Sequence, residues 1–120
     1  MNSLTYAYIG DSVYDLYIKE MLIKSGLRKV NDLQKEAIKL VNAVGQARIL
    51  KELMEKEFFN TLELGVIMTA RNTKSKSKAK NADILTYKHA TALEAVIGYL
   101  YIEKDKNRLS EVMERIWEMR

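Results

Sequence analysis

No proline occurs anywhere in this chain of 120 residues, and only five glycines do. Proline breaks a helix by removing a donor and clashing with the turn before it, and glycine weakens one through backbone entropy. Nothing here forbids long, uninterrupted helices. Leu, Ala, Glu, Lys and Met supply high helix propensity, while the strict alternation expected of strands is weak. The expectation is therefore an all-α fold. At this length a single domain over residues 1–120 is expected, large enough to bury a real core.

Helical periodicity divides the chain further. Apolar residues recur at Tyr6, Ile9, Val13 and Leu16 in a first helix over about residues 4–24, with Gly26 where a C-terminal cap belongs. Asn31 and Gln34 have the form of a capping box for a second helix ending near Val41. Asn42 is placed to cap a third helix carrying Ala43, Ala47, Leu50 and Met54. Asn60 with Glu63 repeats the box for a fourth, with Leu64, Ile67 and Met68. Residues 71–83 read RNTKSKSKAKNAD, polar and without apolar periodicity, which predicts a loop. Asp83 is expected to cap a fifth helix running through Glu94 to about residue 102. A sixth follows Asn107, with Leu109, Met113, Ile116 and Met119 along one stripe and Trp117 beside it.

Composition excludes several classes of chemistry. Cysteine is absent and His89 is the only histidine, so disulfides, thiolate metal sites and histidine-based zinc sites are ruled out. Any metal would be held by oxygen. No apolar run approaches the ~20 residues that cross a bilayer, and the N-terminus lacks a signal-peptide pattern. A cytoplasmic protein with no membrane association is expected. The net charge of +4 is unevenly spread: Arg71, Lys74, Lys76, Lys78, Lys80 and Lys88 face only Asp83 within residues 71–90, leaving the rest close to neutral.

Two carboxylates sit where surface acids normally do not. Asp11 lies in YAYIGDSVY and Glu94 in TALEAVIGYLYI, each interrupting a largely apolar helical stretch. A buried carboxylate without a partner costs several kcal/mol, so such a group needs a cation, a hydrogen-bond network or a raised pKa. Gly10 and Ala7 beside Asp11, and Ala90 and Gly98 four residues to either side of Glu94, would let two helices approach closely at this level. Asp15 adds a second acid at i+4 from Asp11, unfavourable unless a cation offsets it. A bound metal would satisfy both carboxylates; a Lys or Arg paired with Asp11, and Glu94 facing water at a helix edge, would serve as well.

The stretches AYIGDSVYDLYI (7–18) and YKHATALEAVIGYLYI (87–102) together resemble the two acidic motifs of the ribonuclease III domain. VNAVGQARIL (41–50) and the order ARNTKS, KNAD, TYKHAT across residues 70–91 resemble more closely Mini-III, the short bacterial branch without a double-stranded-RNA-binding domain. The resemblance implies the all-α ribonuclease III endonuclease-domain fold, a homodimer, and an Mg²⁺-dependent endoribonuclease that cuts double-stranded RNA to 5′-phosphate and 3′-hydroxyl ends. It implies a role in maturing the large-subunit (23S) ribosomal RNA precursor, with a ribosomal protein as a further partner that presents the RNA. Carried over by position, Asp11 and Glu94 are the catalytic and metal-binding residues. Leu4, Ala7 and Thr91 stand where the larger enzymes of the family have further acids. A thin acidic set leaves a second reading, a double-stranded-RNA-binding dimer with weak or no cleavage.

The basic segment fits such a substrate. In an extended chain Lys74, Lys76, Lys78 and Lys80 would line one side over about 20 Å, with Arg71 at the base, long enough to follow several phosphates. A solvated loop with no partner is the alternative. His89 is expected to be a packed residue, and Tyr6, Tyr8, Tyr14 and Tyr17 to serve core and dimer interface.

Overall fold

The computed structural model describes residues 1–73 and 81–120, with the side chains of residues 81 and 82 not described. The alternating lysines Lys74, Lys76, Lys78 and Lys80 lie outside the described residues. Six helices follow one another: α1 (Ser3–Lys24), α2 (Val30–Val41), α3 (Ala43–Glu55), α4 (Thr61–Asn72), α5 (Asn81–Ile102) and α6 (Lys106–Glu118). There is no strand among the described residues. None of these helices is long and apolar enough to cross a membrane.

α5 is the centre of the molecule. From Ala90 to Leu100 every residue is buried except the half-buried Glu94 and Tyr99, so the helix carries apolar side chains all round and the others wrap it. α1, α3, α4 and α6 all pack against it. The core joins Tyr14, Ile18 and Leu22 of α1 to Ile49, Leu50 and Leu53 of α3, Ile67 of α4, Leu93 and Ile97 of α5, and Met113 and Ile116 of α6.

The α1–α5 contact is backbone on backbone. A Cβ added to Gly10 would stand 1.8 Å from the Glu94 carbonyl oxygen, and one added to Gly98 would stand 1.9 Å from that of Tyr6. The close approach expected from the small residues is present, and glycine is obligatory at both positions.

The helix ends show which local signals were sufficient. Asn42 caps α3 by accepting from the Gly45 N–H at 2.7 Å. Asn60 and Glu63 close a full capping box on α4. Gly26 follows the end of α1 with φ +111, the left-handed conformation that favours glycine. Asn31 does not cap α2: the helix starts at Val30 behind Lys29, with no side-chain cap. Asp83 lies within the first turn of α5, not before it, and Asp105, not Asn107, caps α6 by accepting from the Arg108 N–H at 3.2 Å. The expected loop is shorter than residues 71–83, because α4 continues to Asn72 and α5 begins at Asn81.

One ion pair fastens α6 to α4. Glu63, only 1% exposed, receives a two-pronged contact from Arg108, Nε to Oε2 and Nη2 to Oε1, each at 2.8 Å. Arg108 also donates to the Phe58 carbonyl at 2.8 Å and lies over the Phe58 ring. A buried carboxylate is tolerated because its charge and lone pairs are met in full.

Gly98→Ala should lower unfolding free energy by about 3 kcal/mol or more, since helix backbones cannot yield as a side chain can. Gly65→Ala, inside α4 with open space around its Cα, should instead raise it by about 0.5–1 kcal/mol. Urea unfolding of the two variants beside the parent chain measures both.

Candidate active site

Because the α1 backbone touches α5 at Gly10, the next residue, Asp11, emerges at the surface directly beside Glu94. The two carboxyl groups are close enough for Asp11 to act on the titration of Glu94. Glu94 is half-buried, and burial together with the hydrogen bond and charge of Asp11 pushes its carboxyl up to about 8, against a small opposing effect of Gln46. Among the described residues neither carboxylate is in an ion pair with a Lys or Arg. Asp15, which looked like a second acid needing a shared cation, is paired with Lys19 at 2.8 Å on the outer face of α1.

A third helix completes the site. Gln46, 3% exposed, extends from the first turn of α3 and donates from Nε2 to Glu94 Oε2 at 3.5 Å. Its position follows from a tight corner between α2 and α3: a Cβ on Gly45 would lie 2.2 Å from the Lys39 carbonyl oxygen, and Gln46 N–H donates to the Asn42 carbonyl at 3.0 Å. Tyr14, fully buried one turn after Asp11, braces the same corner by donating from its hydroxyl to the Leu40 carbonyl at 2.7 Å. Burial holds this phenol above its usual range, so it remains a donor. Gln46 belongs to a stretch that marked the branch in sequence, but nothing in its spacing indicated that its amide would reach Glu94.

The positions of the remaining candidates differ. Thr91 is buried on α5, Ala7 is buried against the α1–α5 seam, and Leu4 is exposed. Arg71 is half-buried in the last turn of α4. His89 is packed as expected, with Nδ1 2.8 Å from the Leu85 carbonyl. Of the tyrosines only Tyr14 is a core residue; Tyr8 is 83% exposed. No group of three or more acids or histidines among the described residues could enclose a metal. The donor set of two carboxylates is nevertheless all hard oxygen, and Mg²⁺ commonly uses one or two carboxylates and retains several waters. The residues present fit such an ion.

An all-α frame carrying Asp11 and Glu94 on its two most intimately packed helices is that of a ribonuclease III domain, and the profile of the Ribonuclease III domain family matches residues 4–105. The chain is 42% identical over 116 residues to the Mini-ribonuclease 3 of Staphylococcus aureus, covering 97% of this chain and 87% of that one. It is 44% identical over 114 residues to the Mini-ribonuclease 3 of Brevibacillus brevis, covering 95% and 84%. A crystal structure of a protein from Fusobacterium nucleatum matches with a TM-score of 0.82 at 25% identity, covering 98% of this chain and 93% of that one. The chain belongs to the ribonuclease III family and, within it, to the Mini-ribonuclease 3 branch, a group of endoribonucleases.

The raised Glu94 carboxyl has a measurable sign. The folded chain holds this proton up to about pH 8, whereas the unfolded chain releases it in the ordinary carboxylate range, so stability falls as pH rises between the two. In chelator, Glu94→Gln removes this loss. Its melting temperature should exceed that of the parent chain at pH 8.5 by about 4 °C, corresponding to about 1 kcal/mol, and the gap should close near pH 5.

Proposed function

We propose that this endoribonuclease is Mg²⁺-dependent and hydrolyses phosphodiesters of double-stranded RNA, leaving 5′-phosphate and 3′-hydroxyl ends, in maturation of the 23S ribosomal RNA precursor. The observation that carries the reading is the Asp11–Glu94 pair: two carboxylates pressed together at the Gly10–Gly98 seam with no protein cation among the described residues to neutralise them. Asp11 and Glu94 would hold the ion, with Glu94 in its deprotonated form. Gln46 helps to orient Glu94 by donating to its Oε2. The ion supplies positive charge that eases deprotonation of the attacking water and offsets charge developing on phosphate oxygens. No side chain need act as a nucleophile.

Double-stranded RNA as substrate rests on the family. Arg71 and the segment with Lys74, Lys76, Lys78 and Lys80 supply the positive charge that a duplex backbone requires. A homodimer presents one site to each strand. Leu4 and Tyr8, exposed four residues apart on the face of α1 that carries Asp11, give an apolar patch for a second copy to cover. A ribosomal protein that presents the RNA is a further partner.

Purified protein should cleave a perfect RNA duplex in Mg²⁺ and stop doing so in chelator. Asp11→Asn should lower kcat at least about a hundredfold while duplex affinity stays within a few-fold. Undiminished cleavage by that variant would remove Asp11 from the mechanism. Binding without any cleavage by the parent chain would favour the non-catalytic RNA-binding reading.

A further inference from the structure

Away from Asp11 and Glu94, three helices gather polar side chains around a cavity of about 220 Å³. Lys51 comes from α3, Arg71 from the last turn of α4 and His89 from α5, over an apolar floor that includes Leu50 and Ile67. Among the described residues Glu55 is the one acid lining it. Among the described residues neither Lys51 nor Arg71 is engaged in an ion pair, although Glu55 is one turn from Lys51. Lys51 and Glu55 also line an adjoining open groove of about 510 Å³, with Arg48 and Thr86, so the cavity continues to the surface along α3.

His89 sets the character of this pocket. It is 8% exposed, and its Nδ1 donates to the Leu85 carbonyl at 2.8 Å, which places the proton on Nδ1 and leaves Nε2 an acceptor. Burial above all, with the nearby charges of Lys51 and Arg71, holds the ring below its usual range despite the Leu85 bond, so it is neutral at physiological pH. Two cations ask for an anion, but a phosphodiester has no proton to offer Nε2. A ligand with an anion and a hydroxyl donor side by side satisfies all three groups, and the backbone of RNA is such a ligand where that of DNA is not.

We propose that Lys51, Arg71 and His89 form a ribose–phosphate subsite: the two cations hold one phosphodiester of the RNA strand, and His89 Nε2 accepts from the 2′-hydroxyl of the adjoining nucleotide. The inference rests on RNA being the substrate, and it assigns to this pocket the discrimination of RNA from DNA. His89 precedes Glu94 by five residues on the same helix, about 7.5 Å along its axis and about 140° around it, so the subsite lies on a different face of α5 from the carboxylate pair.

Fluorescence anisotropy in chelator, with an RNA duplex carrying a single 2′-deoxy nucleotide walked along each strand, reads the subsite directly. The parent chain should lose about tenfold in affinity at one position per strand, and His89→Phe should abolish that position's penalty. Lys51→Ala and Arg71→Ala should each weaken binding to every duplex about tenfold and reduce the salt slope by about one. Lys51 is exposed, so its variant reports on the pocket even if His89→Phe compromises folding. An unchanged deoxy penalty in a folded His89→Phe, or unchanged affinity and salt slope in Lys51→Ala and Arg71→Ala, overturns the subsite while the parent chain still binds and cleaves RNA. A parent chain that neither binds nor cleaves any RNA duplex overturns the subsite and the proposed function together.

Discussion

Backbone contact between α1 and α5 sets the spacing of everything else in this molecule. Two helices that meet through ordinary side chains lie about 8–10 Å apart; at Gly10 and Gly98 each helix instead presses against a carbonyl of the other. The approach has two consequences. α5 is drawn inward until all of it between Ala90 and Leu100 is buried except the half-buried Glu94 and Tyr99, with α3, α4 and α6 packed around it. The residue after Gly10 and the residue before the next turn of α5 are also brought side by side, and both are acids. The contact that closes the core is the contact that builds the site.

Holding such a pair together requires rigidity around it. Asn42, Gly45 and the Tyr14 hydroxyl fix the α2–α3 corner through backbone atoms, and that corner delivers Gln46 to Glu94. Each of these groups stabilises the fold in its own right, so removing any one would disturb both stability and carboxylate geometry. Gln46 differs in that its side chain meets the site and not merely the scaffold. An amide there can donate to one oxygen of Glu94 without neutralising it, which preserves the negative charge that a divalent ion needs.

The all-α class, the helix order and the two acids were legible because each rests on local chemistry: no proline, recurring apolar faces, and charges in apolar runs. Asn42 and Asn60 were readable caps because the residue that accepts also stands next to the first apolar turn. Asn31 and Asp83 carried the same signal and failed, since α2 and α5 extend one or two residues further back than their strongest cap; packing of α5 against its neighbours outweighs a cap contribution of about 1 kcal/mol. Gln46, Lys51 and the environment of His89 were not readable. They are long-range contacts among α3, α4 and α5, and sequence spacing specifies only which residues share a helix face.

Glu63 and Glu94 make the strongest internal comparison. Both are glutamates on helices that pack into the core, Glu63 fully buried and Glu94 half-buried, and burial alone would penalise both. The fold answers Glu63 with a guanidinium that meets both its oxygens, and the result is a structural clamp between α4 and α6. It answers Glu94 with a second carboxylate and an uncharged amide, raising its pKa where a cation would lower it. A chain selected for stability alone would resolve the second case as it resolves the first, by a single Lys or Arg within reach. In the ion-free protein Glu94 therefore keeps its proton up to about pH 8, and ionising it costs stability that a cation beside it would offset. This difference in treatment, more than the presence of either acid, is the physical argument behind the proposal that Asp11 and Glu94 bind a cation.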